Sequence, residues 1–228
     1  MISSADIALW VYATVLSVFV VFLIILRGQF RRFAAMGMFF VIESAVSLLR
    51  MQILNTYGIS STEYGYFYYY SDFLLSILLY FVVASLFQKA FPSLASALHL
   101  RIGSVMLAAG VGIFSWAIVL QSSSRVLGPW IVECSQNIFV VSVFAAVALF
   151  GVATYKSDAP RPIYQLTFVF AGYFVFVGLM YMLRNFSSSR SRHDSFIGFF
   201  GMWLPLGVAY VFCDPSIGDS QDLPHPRL

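Results

Sequence analysis

A chain of 228 residues that is 60% hydrophobic and only 10% charged, with 24 Phe and 13 Tyr, lies far from a soluble domain, in which about a quarter of residues are charged. The formal charge of +3 comes from Arg and Lys scattered through short loops. No basic face interleaved with exposed aromatics is formed, which argues against nucleic acid as a partner.

The apolar residues come in runs of about 20, the length a helix needs to cross a hydrocarbon core about 30 Å thick. The fold class is therefore an all-α, polytopic transmembrane bundle. Hydropathy predicts seven transmembrane helices at about 7–26, 34–54, 65–87, 101–120, 131–154, 164–184 and 195–213. They form one bundle over residues 1–213, with no linker long enough to separate domains. Residues Met1 to Asp6 lack the positive region of a cleaved signal peptide, so the first apolar run reads as a retained helix. Turn signals stand at Arg27-Gly28, Tyr57-Gly58, Pro92, Gly128-Pro129 and Ala159 to Pro162. From Asp214 to Leu228 the chain holds three prolines and three aspartates and reads as a short flexible tail, too small for an output domain.

Span two carries Glu43 near its midpoint and Arg50 seven residues on, two helical turns apart on one face, with Ser47 between them. Span three opens on Glu63 to Asp72. Tyr64, Tyr66, Tyr68, Tyr69 and Tyr70 there form an interface belt, since tyrosine rings favour the headgroup region. Asp72 lies roughly 9 Å below that end at 1.5 Å per residue. Ser104, Ala108 and Gly112 of span four repeat at the small-residue spacing that lets helices approach closely, within the bundle or in a homodimer. Span five begins with Glu133, Gln136 and Asn137, again sharing a face, and span six ends at Arg184. Pro205 is expected to kink span seven, softened further by Gly198 and Gly201.

Orientation follows Arg and Lys. Arg27, Arg31, Arg32, Lys89, Arg101, Lys156, Arg161 and Arg227 fall on one side, against Arg50, Arg125, Arg184, Arg190 and Arg192 on the other. The larger set marks the cytoplasm, giving an external N-terminus and a cytoplasmic C-terminus, although the basic loop after Arg184 pulls the other way. The intramembrane polar residues then fall in the outer half. Cys134 and Cys213 lie near opposite faces and are too far apart to pair within one chain.

These residues predict an outer polar cavity lined by Glu43, Ser47, Arg50, Asp72, Gln136 and Asn137, able to bind a small polar ligand or, at Glu43 or Asp72, to carry a proton. The competing expectation is structural ion pairing, Arg50 with Asp72 and Arg184 with Glu133. Enzyme chemistry is not indicated. His99, His193 and His225 lie in loops or the tail, so no haem, zinc or serine-base arrangement is expected within the bundle, and no metal or cofactor. No phosphate-binding fingerprint is present.

Three readings of function follow. The first is a receptor-like or sensory bundle that signals through a membrane or cytoplasmic partner protein. The second is a small transporter of a polar solute, built as three helices, a linker helix and three more, and driven by protons in one version. The third is a structural or assembly subunit with no ligand. The pattern of short loops and seven apolar runs resembles seven-helix bacterial membrane proteins. That resemblance implies a multi-pass protein of the inner cell membrane and no activity.

Overall fold

The computed structural model describes residues 4–91, 98–122, 127–155, 161–186 and 202–214. Those residues form seven α-helices and no strand: α1 (Ser4–Leu26), α2 (Ala34–Tyr57), α3 (Thr62–Ala90), α4 (Leu98–Ser122), α5 (Leu127–Tyr155), α6 (Arg161–Phe186) and α7 (Trp203–Cys213). Each lies on a hydropathic run, and most extend a turn or so beyond it. Hydropathy marks only the apolar stretch, whereas backbone hydrogen bonding continues until a cap stops it. The helices α1 to α5 are long and apolar enough to cross a membrane. The first residues of the expected seventh span, 195–201, and the tail from 215 lie outside the described residues.

The helix ends follow local chemistry. At Gly28 (φ 63°) the backbone enters the left-handed region, and Gly28 N–H donates to Ile25 O at 2.9 Å and Gln29 N–H to Ile24 O at 3.1 Å. This paired termination satisfies carbonyls that α1 would otherwise leave open. Ser61 opens α3, its hydroxyl accepting the Tyr64 N–H at 3.1 Å, with Glu63 in the first turn against the positive end of the helix dipole.

Six helices form a ring in the order α1, α2, α3, α5, α6, α7 and back to α1. Helix α4 stands outside it, on α5 and to a lesser extent on α3, while α3 also reaches across to α6. The small residues of α4 are used at these joints. Ser104 O accepts the Tyr80 hydroxyl at 2.8 Å, Ala108 packs beside Tyr80, Cys134 and Ile138, and Gly112 O accepts Trp130 Nε1–H at 3.0 Å.

Burial departs from a soluble protein's at the surface and in the hydroxyls it encloses. Val15, Phe22 and Leu26 of α1, Ile113 of α4 and Phe144 of α5 lie exposed, while Thr14, Ser17, Ser44, Ser47, Ser71, Ser115, Ser135, Ser142 and Thr167 are buried. An apolar solvent around the bundle accounts for both, since lipid accepts exposed Phe and Leu and the hydroxyls need partners within the protein. The chain is a helical bundle with the surface of a multi-pass membrane protein.

Along the bundle axis the interior divides in two. From the end holding Arg27, Arg31, Arg32 and Lys89 up to the middle, the core is mostly apolar: Phe33, Phe40, Phe170, Phe174 and Phe212 fill it with Leu86, Leu149, Leu166 and Val208, and Thr167 and Gln29 are among its few buried polar side chains. The opposite half holds Glu43, Asp72, Glu133 and Arg50 and most of the buried hydroxyl groups. At the basic end Arg27 closes the ring, Nη1–H donating to Asp214 O and Nη2–H to Cys213 O, both at 3.0 Å. It thereby caps the last carbonyls of α7 from α1 and complements the negative end of that helix. Replacing Arg27 by Ala should cost about 1–2 kcal/mol, Lys recovering part of it, read from thermal unfolding in detergent micelles. An Arg27→Ala protein as stable as the parent would mean that the ring closes without this cap.

Candidate functional site

Helix α1 presents Trp10, Thr14 and Ser17 to α2 at intervals of four and three residues, one helical face. Trp10 Nε1–H donates to Ser47 Oγ at 2.6 Å, and Ser47 and Thr14 hydroxyls lie 2.6 Å apart. Thr14 gives its own proton to Trp10 O at 2.9 Å, so the Ser47 proton goes to Thr14 and the three groups form a closed ring. One turn nearer the apolar core, Glu43 lies beside Ser17, whose hydroxyl donates to Ala13 O at 3.1 Å. The Glu43 carboxyl oxygen Oε2 is buried with no partner among the described residues.

Arg50 turns the other way, to α3. Nε–H donates to Ser71 Oγ at 2.8 Å and Nη2–H to Tyr68 O at 3.1 Å, while the guanidinium stacks on the Tyr68 ring 4.4 Å from its centroid. Ser71 passes its own proton to Tyr68 O at 3.0 Å. The Arg50 charge acts on both Glu43 and Asp72 through space. Its hydrogen bonds go to neutral oxygens, however, and the expected Arg50–Asp72 contact pair is replaced by this clamp.

Asp72 instead faces α5, where Ser135 donates to its Oδ2 at 3.2 Å. Ser76 and Ser135 hydroxyls are 2.9 Å apart, and since the Ser135 proton is committed to Asp72, Ser76 is the donor. Beyond them Asn137 Nδ2 donates to Ser115 Oγ of α4 at 3.0 Å and to Glu133 Oε1 at 3.3 Å. A belt of interhelical hydrogen bonds thus laces α1 to α2, α2 to α3, α3 to α5 and α5 to α4, all in the polar half.

The structure therefore brings Glu43, Ser47 and Arg50 into one seam with α1 and α3, and Asp72 into a second with α5. Asn137 and Glu133 share the joint with α4, and Gln136 lies exposed on the surface of α5. The side chain of Arg184 lies outside the described residues. Of the tyrosines, Tyr66, Tyr68, Tyr69 and Tyr70 are exposed and Tyr64 is half-buried, its ring 6.2 Å from that of Tyr68. Pro205 occupies the first turn of α7, where a missing N–H breaks no helical bond; the residues that a kink would join to it, 195–201, are not among those described. Cys134 is buried and Cys213 exposed, both as free thiols.

Two clefts of about 360 Å³ each flank α4. One lies between Met106, Gly110 and Phe114 and the α5 residues Asn137, Val140 and Val141; the other lies by Gly112, Trp116 and Trp130. Asn137 is the one expected polar residue that lines either. Among the described residues no three His, Cys, Asp or Glu side chains converge as a metal site would require.

No family model matches the chain, and no curated protein or solved structure is significantly similar to it. The site has to be read from its own chemistry. Sequence reasoning passed over Trp10, Thr14 and Ser17, Ser71, Ser76, Ser115 and Ser135. The signal was weak: single Ser and Thr are ordinary in membrane helices, where each can return its proton to the carbonyl four residues back. Only the spacing of Trp10, Thr14 and Ser17 marks a common face.

Proposed function

We propose that the chain is a receptor-like, seven-span protein of the cell membrane, with its N-terminus outside and its C-terminus in the cytoplasm. Its polar half would receive a small polar ligand at Glu43 and pass that state to a partner protein. The observation that carries this reading is Glu43 Oε2, a buried acceptor without a donor among the described residues, at the boundary between the hydrogen-bonded half and the mostly apolar core. Leaving such a group unsatisfied costs about 1–3 kcal/mol, which a ligand donor would recover. The basic cluster at the other end supports the orientation. The Phe-rich core supports a site reached from one side, because among the described residues it offers a polar solute few hydrogen-bonding groups onward.

A transporter is the second reading, and one observation favours it. Helix α4 stands outside the six-helix ring, the place of a linker between α1–α3 and α5–α7. Proton coupling through Glu43 or Asp72 would belong to that reading.

Accessibility separates the two. A solute that reaches Glu43 from the polar end must part α1 from α2 at the Trp10, Thr14 and Ser47 ring. With Cys134 and Cys213 replaced by serine, Ser47→Cys should react with a membrane-impermeant thiol reagent from outside only. Reaction from both sides would transfer the lead to the transporter. A folded protein that reacts from neither would make the polar half a structural lattice with no ligand.

A further inference from the structure

Two groups of opposite charge on one face of α2 keep hydrogen-bonding capacity that the protein does not use. Among the described residues, Glu43 Oε2 is buried and has no donor. Arg50 has five N–H donors, of which Nε–H and one Nη2–H are engaged; among the described residues its Nη1 group meets no acceptor. The residues are seven apart, about 10 Å along the helix axis. Neither charge is in contact with the other, because Glu43 turns to Ser17 on α1 and Arg50 to Ser71 and Tyr68 on α3. Arg50 is also held rigid: stacking on Tyr68 and the bond through Nε fix the guanidinium plane, so its open edge is oriented before any ligand arrives.

We infer that the polar half takes a zwitterionic solute, its anionic group on the open edge of Arg50 nearer the outside and its cationic group on Glu43 deeper in. This rests on the receptor-like reading above and specifies its ligand. A purely cationic ligand would leave the guanidinium unanswered, and a purely anionic one would meet Glu43 and Asp72 with repulsion. A zwitterion satisfies both open groups and adds no net charge to a low-dielectric site. The axial separation favours a solute whose two charges are several bonds apart. A free small molecule and a zwitterionic lipid headgroup share this chemistry.

Ser47 lies one turn from each charge, so a thiol there reports the local potential from both. In the Cys134→Ser, Cys213→Ser background, Ser47→Cys is labelled from outside with a pair of methanethiosulfonates, one carrying a sulfonate and one a trimethylammonium. A unit charge on the order of 6 Å away in water shifts the ratio of the two rates by about tenfold. Arg50→Gln should therefore lower the anionic-to-cationic rate ratio by about tenfold, Glu43→Gln should raise it by about as much, and Arg50→Lys should leave it near the parent value. A ratio that responds to only one of the two neutralising substitutions, or to neither, would overturn the zwitterion site. Absence of labelling from outside in every folded variant would remove the receptor-like reading itself. Repeating the labelling in uncharged maltoside micelles with and without added zwitterionic phospholipid assigns the source: slowing by the lipid indicates a headgroup, and an unchanged rate a soluble solute.

Discussion

Phe212→Ala is expected to lower stability by about 2–4 kcal/mol, the largest effect of any single truncation considered. Phe212 is fully buried near the basic end, with its ring edge-on to Phe33 at 5.2 Å and 86°. In a bilayer the usual transfer argument is weak, because lipid tails are as apolar as the core and driving Phe out of water is not the issue. What remains is packing. Removing the ring opens a void on the order of 100 Å³, and at about 24 cal/mol per Å³ that alone approaches 2.4 kcal/mol, before the lost aromatic contact is added. Phe22, more than half exposed on α1, provides the control: Phe22→Ala forms no cavity and should cost under about 0.5 kcal/mol. Thermal unfolding of both in micelles checks the argument. Equal losses would mean that the basic half is not the close-packed core described above.

The second large effect is at Gly207, where α7 meets α6. A Cβ built there would stand 2.6 Å from Val169 Cγ1 and 2.8 Å from Cγ2, closer than non-bonded carbons can sit. Val169 cannot move aside easily, since a β-branched side chain in a helix has one strongly preferred rotamer. Gly207→Ala should therefore cost about 1–3 kcal/mol by forcing the helices apart, despite the better helix propensity of alanine. Val169→Ala should relieve most of that loss when combined with it. The double variant is then more stable than the sum of the single losses allows, by about 1 kcal/mol or more. Strict additivity in the same unfolding measurement would show that the close approach is not what Gly207 serves.

Both predictions concern features that no hydropathy profile contains. Phe212 and Phe22 have the same composition-level signal, an apolar residue in an apolar run, yet one is core and the other surface. In a soluble helix the polar face would have separated them; here lipid and core are equally apolar, so periodicity carries little information. Gly207 looks like any other glycine until Val169 is brought against it from about forty residues earlier in the chain. The polar residues were easier to read. A charge in an apolar run is costly and conspicuous, so Glu43, Arg50 and Asp72 stood out, and the shared face of Glu43 and Arg50 follows from helical geometry alone.

Their partners were another matter. Opposite charges in hydrocarbon suggest contact pairs, and Arg50 with Asp72 is the pair that the competing, structural expectation names. The structure engages both through hydroxyls and a carbonyl instead, Ser71 and Tyr68 O for Arg50 and Ser135 for Asp72. Hydroxyls are too common in the sequence to nominate themselves.

The sequence by itself determined the bilayer as the solvent, the helices and most of their approximate extents, and the presence of carboxylates and a guanidinium in one half of the bundle. Each follows from local quantities: run length, turn residues, and the cost of a charge in hydrocarbon. Only the tertiary structure decided that α4 stands outside the ring, that Arg27 caps α7, and that the hydroxyls of α1 close over Ser47. It also decided that, among the described residues, Glu43 Oε2 and Arg50 Nη1 are left open. Those outcomes depend on which helix faces meet, and in an apolar solvent that choice rests on shape and hydrogen-bond pairing between segments far apart in the chain.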